Sequence, residues 1–202
     1  MKSKSTRKWK RRIGLLFIFL LLLLTSYEIS SELGYNIHYT EGEKIDSLNH
    51  VIVYYNGSTG NVFERNTTKD NYNLGLKYQC VEFVKRYYYE HLHHKMPNPS
   101  GNAIDFFDKS IKDGKMNAQR GLIQYTNNSI SKPKISDLVV LNSTMSNQFG
   151  HVAIISNVTD DEVELIQQNC GGRSRVHYDL EFNNGKWFID NDRILGWLRI
   201  KN

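Results

Sequence analysis

One helical pattern followed by a series of short β-rich segments constrains the fold of this chain more than any other feature. Within residues 79–91, apolar and aromatic residues recur at the three- and four-residue spacing that places them on one face of a helix. The residues of that face are Cys80, Phe83, Val84, Tyr87, Tyr88 and His91. Pro97 and Pro99 end this region, and residues 103–111 are predicted to form a second helix.

The C-terminal half contains short segments rich in β-branched and aromatic residues, separated by turn signals. The predicted strands cover residues 137–142, 151–156, 163–168, 186–189 and 194–200, and a further β-rich run covers residues 51–55. Between that run and the predicted helix, residues 56–76 hold many Asn, Thr, Gly and Lys residues and are predicted to form a loop. Helices followed by an antiparallel sheet are the order of an α+β fold.

The N-terminus has the composition of a targeting segment. Residues 1–12 carry seven Lys and Arg residues and no acid, and residues 13–24 are twelve uncharged residues without a break. This order predicts a signal peptide or an uncleaved signal anchor, with residues 13–27 in contact with the membrane. The positive-inside rule then places the rest of the chain outside the cytoplasm, either anchored or secreted after cleavage.

The predicted organisation therefore has three parts. Residues 1–27 are the basic tail and signal, residues 28–48 are a polar stalk, and residues 49–202 are one domain. The net charge of +5 belongs to the tail, since the chain beyond residue 12 holds 19 of the 26 basic residues against all 21 acidic ones. A nearly neutral domain gives no reason to expect nucleic-acid binding.

Cys80 has the position of a nucleophile. It is the first residue on the buried face of the predicted helix, where unpaired backbone N–H groups and the helix dipole favour an anion. The pKa of a thiol at such a position is expected to be lowered, and the thiolate is the reactive form. Gln79 immediately precedes it and offers a side-chain amide that could be directed at a developing oxyanion.

A cysteine nucleophile needs a base, and His151 is the best candidate because it opens an apolar strand. Suppose that the predicted strands at residues 151–156 and 163–168 form a hairpin centred on Thr159. His151 then faces Gln167, and Asn169 lies two residues further on the same face. Either amide could accept a hydrogen bond from the ring N–H of His151 and set its tautomer. A register slip by one residue would favour Gln168 instead.

Two other interpretations compete for these residues. Cys80 and Cys170 are the two cysteines of the chain, and outside the cytoplasm they could form a disulfide. The histidines at positions 91, 93 and 94 could contribute to a metal site, but no group of matching spacing accompanies them, so a solvated helix end is favoured.

Three segments in this order resemble the CHAP family of cysteine, histidine-dependent amidohydrolases and peptidases. They read YQCVEF at residues 78–83, GHVAI at residues 150–154 and IQQN at residues 166–169, and the DLVV and LGW segments at residues 137–140 and 195–197 are also similar. Within the family, the chain is most similar to the amidase domain of glutathionylspermidine synthetase/amidase and to bacterial cell-wall hydrolases. The resemblance extends from about residue 49 to the C-terminus.

The resemblance implies a papain-like α+β fold, in which N-terminal helices carrying the cysteine pack on an antiparallel sheet carrying the histidine. Cys80 would be the nucleophile, His151 the general base, and Gln79 would lie close to the oxyanion site. The third residue of the family is typically an acid at the position of Gln167. The amide of Gln167 can orient the histidine without stabilising an imidazolium by charge, and Asn169 is the alternative for this role.

The function implied is hydrolysis of an amide through a thioester on the cysteine. Outside a bacterial membrane, the peptides of peptidoglycan are the abundant amides, which favours a cell-wall hydrolase. One alternative is a glutathionylspermidine-type amidase. The other is a binding module that has lost catalysis, which is supported by the absence of an acid at position 167. A thiolate–imidazole pair requires no metal or organic cofactor.

Overall fold

The computed structural model describes residues 4–32 and 38–201 of the chain. The helices are α1 (Lys4–Glu32) and α2 (Cys80–Glu90), and a short 3-10 helix covers Ala103–Phe106. The strands are β1 (Lys44–Leu48), β2 (Val51–Tyr54), β3 (Arg65–Thr67), β4 (Asn73–Leu76), β5 (Lys115–Asn117), β6 (Leu122–Thr126), β7 (Leu138–Leu141), β8 (His151–Val158), β9 (Glu162–Ile166), β10 (Arg175–Asn183), β11 (Lys186–Ile189) and β12 (Ile194–Arg199).

Eight of these strands form one antiparallel sheet, in the order β11-β10-β9-β8-β7-β12-β6-β5. Two small antiparallel hairpins, β1-β2 and β3-β4, lie outside it. The helix α2 contacts β8, β2 and β4, so the predicted helix packs on the strand that begins with His151. The mixed helix and antiparallel-sheet class predicted from the sequence is confirmed.

The central strands are buried on both faces, which explains their continuous apolar character. In β7, Leu138 and Val140 belong to the core shared with α2, whereas Val139 and Leu141 belong to a second core on the other face. The second core is completed by side chains such as Trp197, which has no exposed surface. A strand between two cores is held in a fixed register, because a slip by one residue would exchange its faces.

The pairing of β8 with β9 differs from the register predicted about Thr159. The strands pair Ile154 with Ile166 instead of Val152 with Ile166, and the register shifts between Ile155 and Asn157. Near the turn the pairing is three positions from the predicted register, and the extra residue of this bulge reduces the difference to two positions at Ile154. A shift by two preserves the faces, so the side chains of His151 and Gln167 still lie on the same side of the sheet.

Several elements differ from the sequence prediction. The second helix is limited to the 3-10 turn Ala103–Phe106, and residues 107–111 are not helical. The strand β10 was not predicted, and β3 and β4 form within the segment predicted to be loop. The residues Lys44–Leu48, assigned to the stalk, form β1 and pair with β2 as part of the folded domain.

The N-terminal segment forms the helix α1. No helix among the described residues is both long and apolar enough to cross a membrane. The membrane-spanning anchor predicted for residues 13–27 is therefore not supported. The uncharged stretch is fifteen residues long, about 22 Å of helix, whereas a bilayer core is about 30 Å thick.

Candidate active site

Cys80 is the first residue of α2 and is buried against the start of β8. The backbone N–H groups of Val152, Val81 and Cys80 itself act to lower the pKa of its thiol. The N–H of Val152 can be used in this way because β9 pairs with β8 only from Ile154 onward. Burial is nevertheless the largest influence and raises the pKa of Cys80, which corrects the lowered pKa expected from the helix N-terminus alone.

His151 is the first residue of β8 and immediately precedes Val152, whose backbone N–H lowers the pKa of Cys80. Gly150 turns the chain into this strand with a φ of +72°, and a Cβ there would lie 2.7 Å from the carbonyl oxygen of Leu141. Glycine is therefore required immediately before the histidine. Burial lowers the pKa of His151 to about 4, although the hydrogen bond to Gln167 acts in the opposite direction.

The contacts of Gln167 fix the tautomer of the histidine. Its side-chain NH₂ donates to the carbonyl oxygen of Arg173 at 3.2 Å, and a carbonyl oxygen can only accept. This orients Oε1 of Gln167 toward Nε2 of His151, which lies 3.1 Å away. The proton of the neutral ring is thus assigned to Nε2, which leaves the lone pair on Nδ1.

Asn169 contacts Gln79 instead of the histidine. Its side-chain NH₂ donates to Oε1 of Gln79 at 2.7 Å, and its Oδ1 accepts from Asn56 at 2.8 Å. The other end of the Gln79 amide donates to the carbonyl oxygen of Asn61 at 2.6 Å. Of the two amides predicted to orient His151, the structure brings Gln167 to the ring and places Asn169 where it holds Gln79 beside Cys80.

The backbone before the cysteine is strained. Tyr78 has a φ of +64°, a left-handed conformation that is unusual for a bulky residue. Its ring packs against Tyr54 and Phe63, with centroid distances of 5.5 and 5.1 Å. These contacts hold the turn that delivers Gln79 and Cys80 to the start of the helix, and strain held in this way is typical of functional sites.

A buried polar network, not anticipated from the sequence, anchors the first turns of α2. Gln168 donates to the backbone oxygen of Gln79 at 3.0 Å and to the carboxylate of Glu82 at 2.9 Å. Arg86 pairs with the same carboxylate at 2.6 Å. The i, i+4 spacing of Glu82 and Arg86 was a sequence signal for this pair, but nothing in the sequence indicated that it would be buried.

The second cysteine also lies at the site. Both cysteines are free thiols, so the disulfide considered from the sequence is not formed. The sulfur of Cys170 is 3.4 Å from Nε2 of His151, on the side of the ring that binds Gln167. Burial, together with the nearby Cys80, raises the pKa of Cys170 to about 12, so it is a neutral thiol.

The histidines that follow α2 have structural contacts. The ring of His91 lies 2.9 Å from the side-chain amide of Asn49, and His94 donates to the carbonyl oxygen of Arg120 at 2.8 Å. Within residues 4–32 and 38–201, no three His, Cys, Asp or Glu side chains are grouped as a metal site would require.

The sequence is similar to those of known proteins. Residues 70–169 match the CHAP domain model, which confirms the resemblance predicted from the sequence. Trypanothione synthetase from Crithidia fasciculata is 31% identical over 132 residues, covering 61% of this chain and 20% of that protein. Glutathionylspermidine synthase from the same organism is 28% identical over 143 residues, covering 63% of this chain and 19% of that protein.

This chain thus spans about a fifth of the length of the curated relatives it matches. Among solved structures, the crystal structure of Ly7917 aligns with 61% of this chain and 53% of its own, with 16% identity and a TM-score of 0.36.

Proposed function

Residues 70–169 belong to the CHAP family, and on that premise we propose that the chain hydrolyses amide bonds, with Cys80 as nucleophile and His151 as general base. One observation carries the proposal: the hydrogen bond from Nε2 of His151 to Oε1 of Gln167. It leaves a lone pair on Nδ1 of His151, which adjoins Val152, the strand residue whose N–H lowers the pKa of Cys80. A neutral imidazole with one free lone pair is what a general base requires.

The reaction begins from an uncharged pair, because burial raises the pKa of Cys80 and lowers that of His151. The thiol proton passes to Nδ1 of His151 as the sulfur attacks the amide carbonyl. The tetrahedral intermediate collapses to a thioester when the imidazolium donates that proton to the leaving amine. Water, deprotonated by the same ring, then attacks the thioester, and the carboxylic acid leaves as the thiol is restored.

Gln79 and the backbone at the start of α2 provide the oxyanion site in this proposal. The Gln79 NH₂ group has two protons, and the bond to the carbonyl oxygen of Asn61 uses one of them. The second can donate to the negative oxygen of the tetrahedral intermediate, together with the N–H of Cys80. Asn169 fixes the amide in this orientation by occupying its oxygen, so its role is positioning.

The proposed substrates are the peptides of peptidoglycan, and the proposed location is outside the cytoplasm. The support is the N-terminal pattern of seven basic residues before a run of twelve uncharged ones, which is typical of an export signal. The contact between α2 and β8 is consistent with a papain-like arrangement. In such an arrangement, a cysteine at a helix N-terminus faces a histidine on a neighbouring strand.

Two other functions have an observation in their favour. A glutathionylspermidine-type amidase is favoured by the relatives, whose similarity covers about 60% of this chain. A binding module without catalysis is favoured by Gln167, because an amide lacks the negative charge with which the typical acid of the family stabilises an imidazolium. The intact Cys80 and His151 argue against the second of these.

The test compares the full chain with its Cys80→Ala variant under reducing conditions. Each protein is incubated with purified peptidoglycan and, separately, with glutathionylspermidine, and the products are identified by mass spectrometry. New amine and carboxyl ends released from peptidoglycan by the unmutated chain alone are expected. Cleavage of glutathionylspermidine alone would transfer the assignment to the second substrate. Binding of peptidoglycan by both proteins without cleavage of either compound would establish the binding module.

A further inference from the structure

An arginine lies at the same end of the sheet as His151. The residues His151, Leu141 and Ile194 are paired across three adjacent strands, β8, β7 and β12. Neighbouring strands are about 4.8 Å apart, so Ile194 lies about 10 Å from the histidine backbone. Arg193 immediately precedes Ile194, and its side chain is long enough to cover much of that distance.

The guanidinium of Arg193 is only partly used by the fold. One Nη2 proton is donated to the carbonyl oxygen of Asn142 at 3.2 Å. The buried Nε has no partner among the described residues, and none of them accepts from Nη1. A donor without an acceptor is costly in a folded protein, and the guanidinium of Arg193 makes one hydrogen bond with the described residues.

The charge of Arg193 is also unpaired. Among the described residues, ion pairs are formed by Arg86, Arg175 and Arg199, and Arg193 takes part in none. Its charge nevertheless reaches the site, because it contributes to lowering the pKa of His151 and opposes the raised pKa of Cys170. Arg173, likewise without an ion pair, acts on Cys170 in the same way.

The geometry points to Arg193 as the residue that selects substrates with a carboxylate close to the scissile amide. The inference rests on the proposed amide hydrolysis and specifies the class of substrate. A carboxylate accepts hydrogen bonds from two adjacent guanidinium N–H groups, and Arg193 has unused protons on Nη1 and Nη2, since one bond to Asn142 is formed. Arg173 adds a second positive charge that acts on Cys170. An acidic peptide is therefore the favoured substrate, and a neutral one would leave Arg193 unpaired.

The test uses two synthetic peptides built around the bond identified by the product analysis. They are identical except that the residue next to the scissile amide carries a carboxylate in one and a carboxamide in the other. We expect the unmutated chain to cleave the acidic peptide with a kcat/KM about 10- to 100-fold higher, the effect of one hydrogen-bonded charge. Equal values for the two peptides would overturn the inference, since this comparison involves no change in the protein.

Three variants locate the effect. Arg193→Gln is expected to lower kcat/KM for the acidic peptide, mainly through KM, and to leave the carboxamide peptide nearly unchanged. Arg193→Lys retains the charge but cannot form two parallel hydrogen bonds with a carboxylate. Its kcat/KM for the acidic peptide should lie between those of the unmutated chain and Arg193→Gln. Lys186→Gln removes an equal charge from an exposed residue of β11, at the far edge of the sheet, and should change neither peptide.

The two possible failures are distinguishable. Loss of cleavage of both peptides in Arg193→Gln, with retained cooperative unfolding, would mean that Arg193 supports the site as a whole and does not select the carboxylate. If the variant does not fold, the comparison of the two peptides on the unmutated chain still decides the inference. If the unmutated chain cleaves no amide while Cys80 remains reduced, the proposed function itself is wrong.

Discussion

Two polar networks lie along the hairpin formed by β9 and β10, and they are built from different chemical groups. Near the site, His151 is bound by the amide of Gln167, and the amide of Gln79, which precedes Cys80, is held by Asn61 and Asn169. Further along the same hairpin, Arg175 binds the carboxylates of Asp46 at 2.9 Å and Glu164 at 2.6 Å. The first network supplies hydrogen bonds without charge, whereas the second joins the β1 hairpin to the sheet through charges.

The difference determines the protonation of each network. Burial alone would raise the pKa of Asp46, but hydrogen bonds from Arg175 and Ser174 bring it below its ordinary value. His151 has no such charged partner, so burial dominates and its pKa falls to about 4. A buried ionisable group thus remains charged beside an opposite charge and becomes neutral beside an amide.

The largest expected effect is a loss of stability as the pH falls from 6.5 to 4. The folded-state pKa of His151, about 4, lies below its ordinary value of 6.5, so the unfolded chain binds more protons in this range. The stabilisation is complete above pH 6.5 and is lost as the pH approaches 4, about 3 kcal/mol of unfolding free energy. Denaturant titrations across this range measure it.

A His151→Gln variant provides the control for this effect. Its unfolding free energy should change much less between pH 6.5 and 4, because no titrating ring remains at that position. The charged network acts in a lower range, since the pKa values of Asp46 and Glu164 lie below 3.8 and 4.5. Equal slopes for the variant and the unmutated chain between pH 6.5 and 5 would show that His151 is not held neutral by burial.

The next effect comes from changing the amide network itself. Gln167→Ala removes the acceptor that sets the tautomer of His151, and we expect kcat/KM to fall about tenfold, the loss of one hydrogen bond. Gln167→Glu introduces a charge at the same position and should raise the pKa of the ring. The acidic limb of the kcat/KM profile should then move up from about pH 4 in the unmutated chain.

The two substitutions at position 167 are matched controls for each other. If the amide only fills space, both variants should retain the unmutated pH profile and rate. If it orients the ring, the alanine variant loses rate without moving the acidic limb upward, and the glutamate variant moves the limb. If the acidic limb of the kcat/KM profile stays near pH 4 in Gln167→Glu, a charged partner does not keep the buried histidine protonated. That result would contradict the difference drawn between the two networks.

The sequence was informative where a local pattern determines structure. The helical spacing at residues 79–91 gave α2 within a residue at each end, and the alternation of β-rich runs and turns gave β7, β8, β11 and β12. The strand β10 was missed although Val176, Tyr178, Leu180 and Phe182 alternate with polar residues, which is the pattern of a half-exposed strand. The stalk assignment was wrong at β1, because Lys44–Leu48 is polar and is held by partners distant in sequence.

The candidate site was predictable as a set of residues but not as a set of contacts. The sequence identified Cys80, His151 and Gln167 and placed the last two on one face, although the pairing at Ile154 differs by two positions from the predicted register. It could not separate the roles of the two amides, because the turn at residue 169 has a φ of +66° and directs Asn169 toward Gln79. The effect of burial on the pKa of Cys80 likewise depends on long-range packing.

The smallest effect is expected from the charged network. The side chain of Asp46 is 20% exposed and that of Arg175 is 34% exposed, so water screens part of their attraction. Asp46→Asn should therefore reduce the unfolding free energy at pH 7 by about 1 kcal/mol or less, and kcat/KM should not change. The reduction should become smaller in high salt, because the interaction removed is between charges that solvent can reach.

The exposed pair of Lys132 and Asp160 supplies the matched control, since the carboxylate of Asp160 is fully exposed. Asp160→Asn removes the same charge from a fully exposed position and should leave the unfolding free energy within error. A fall in kcat/KM for Asp46→Asn at unchanged stability would contradict the separation of the two networks. It would mean that Asp46, through Ser174 and the backbone bond from Gln167 to Ser174, positions the amide that orients His151.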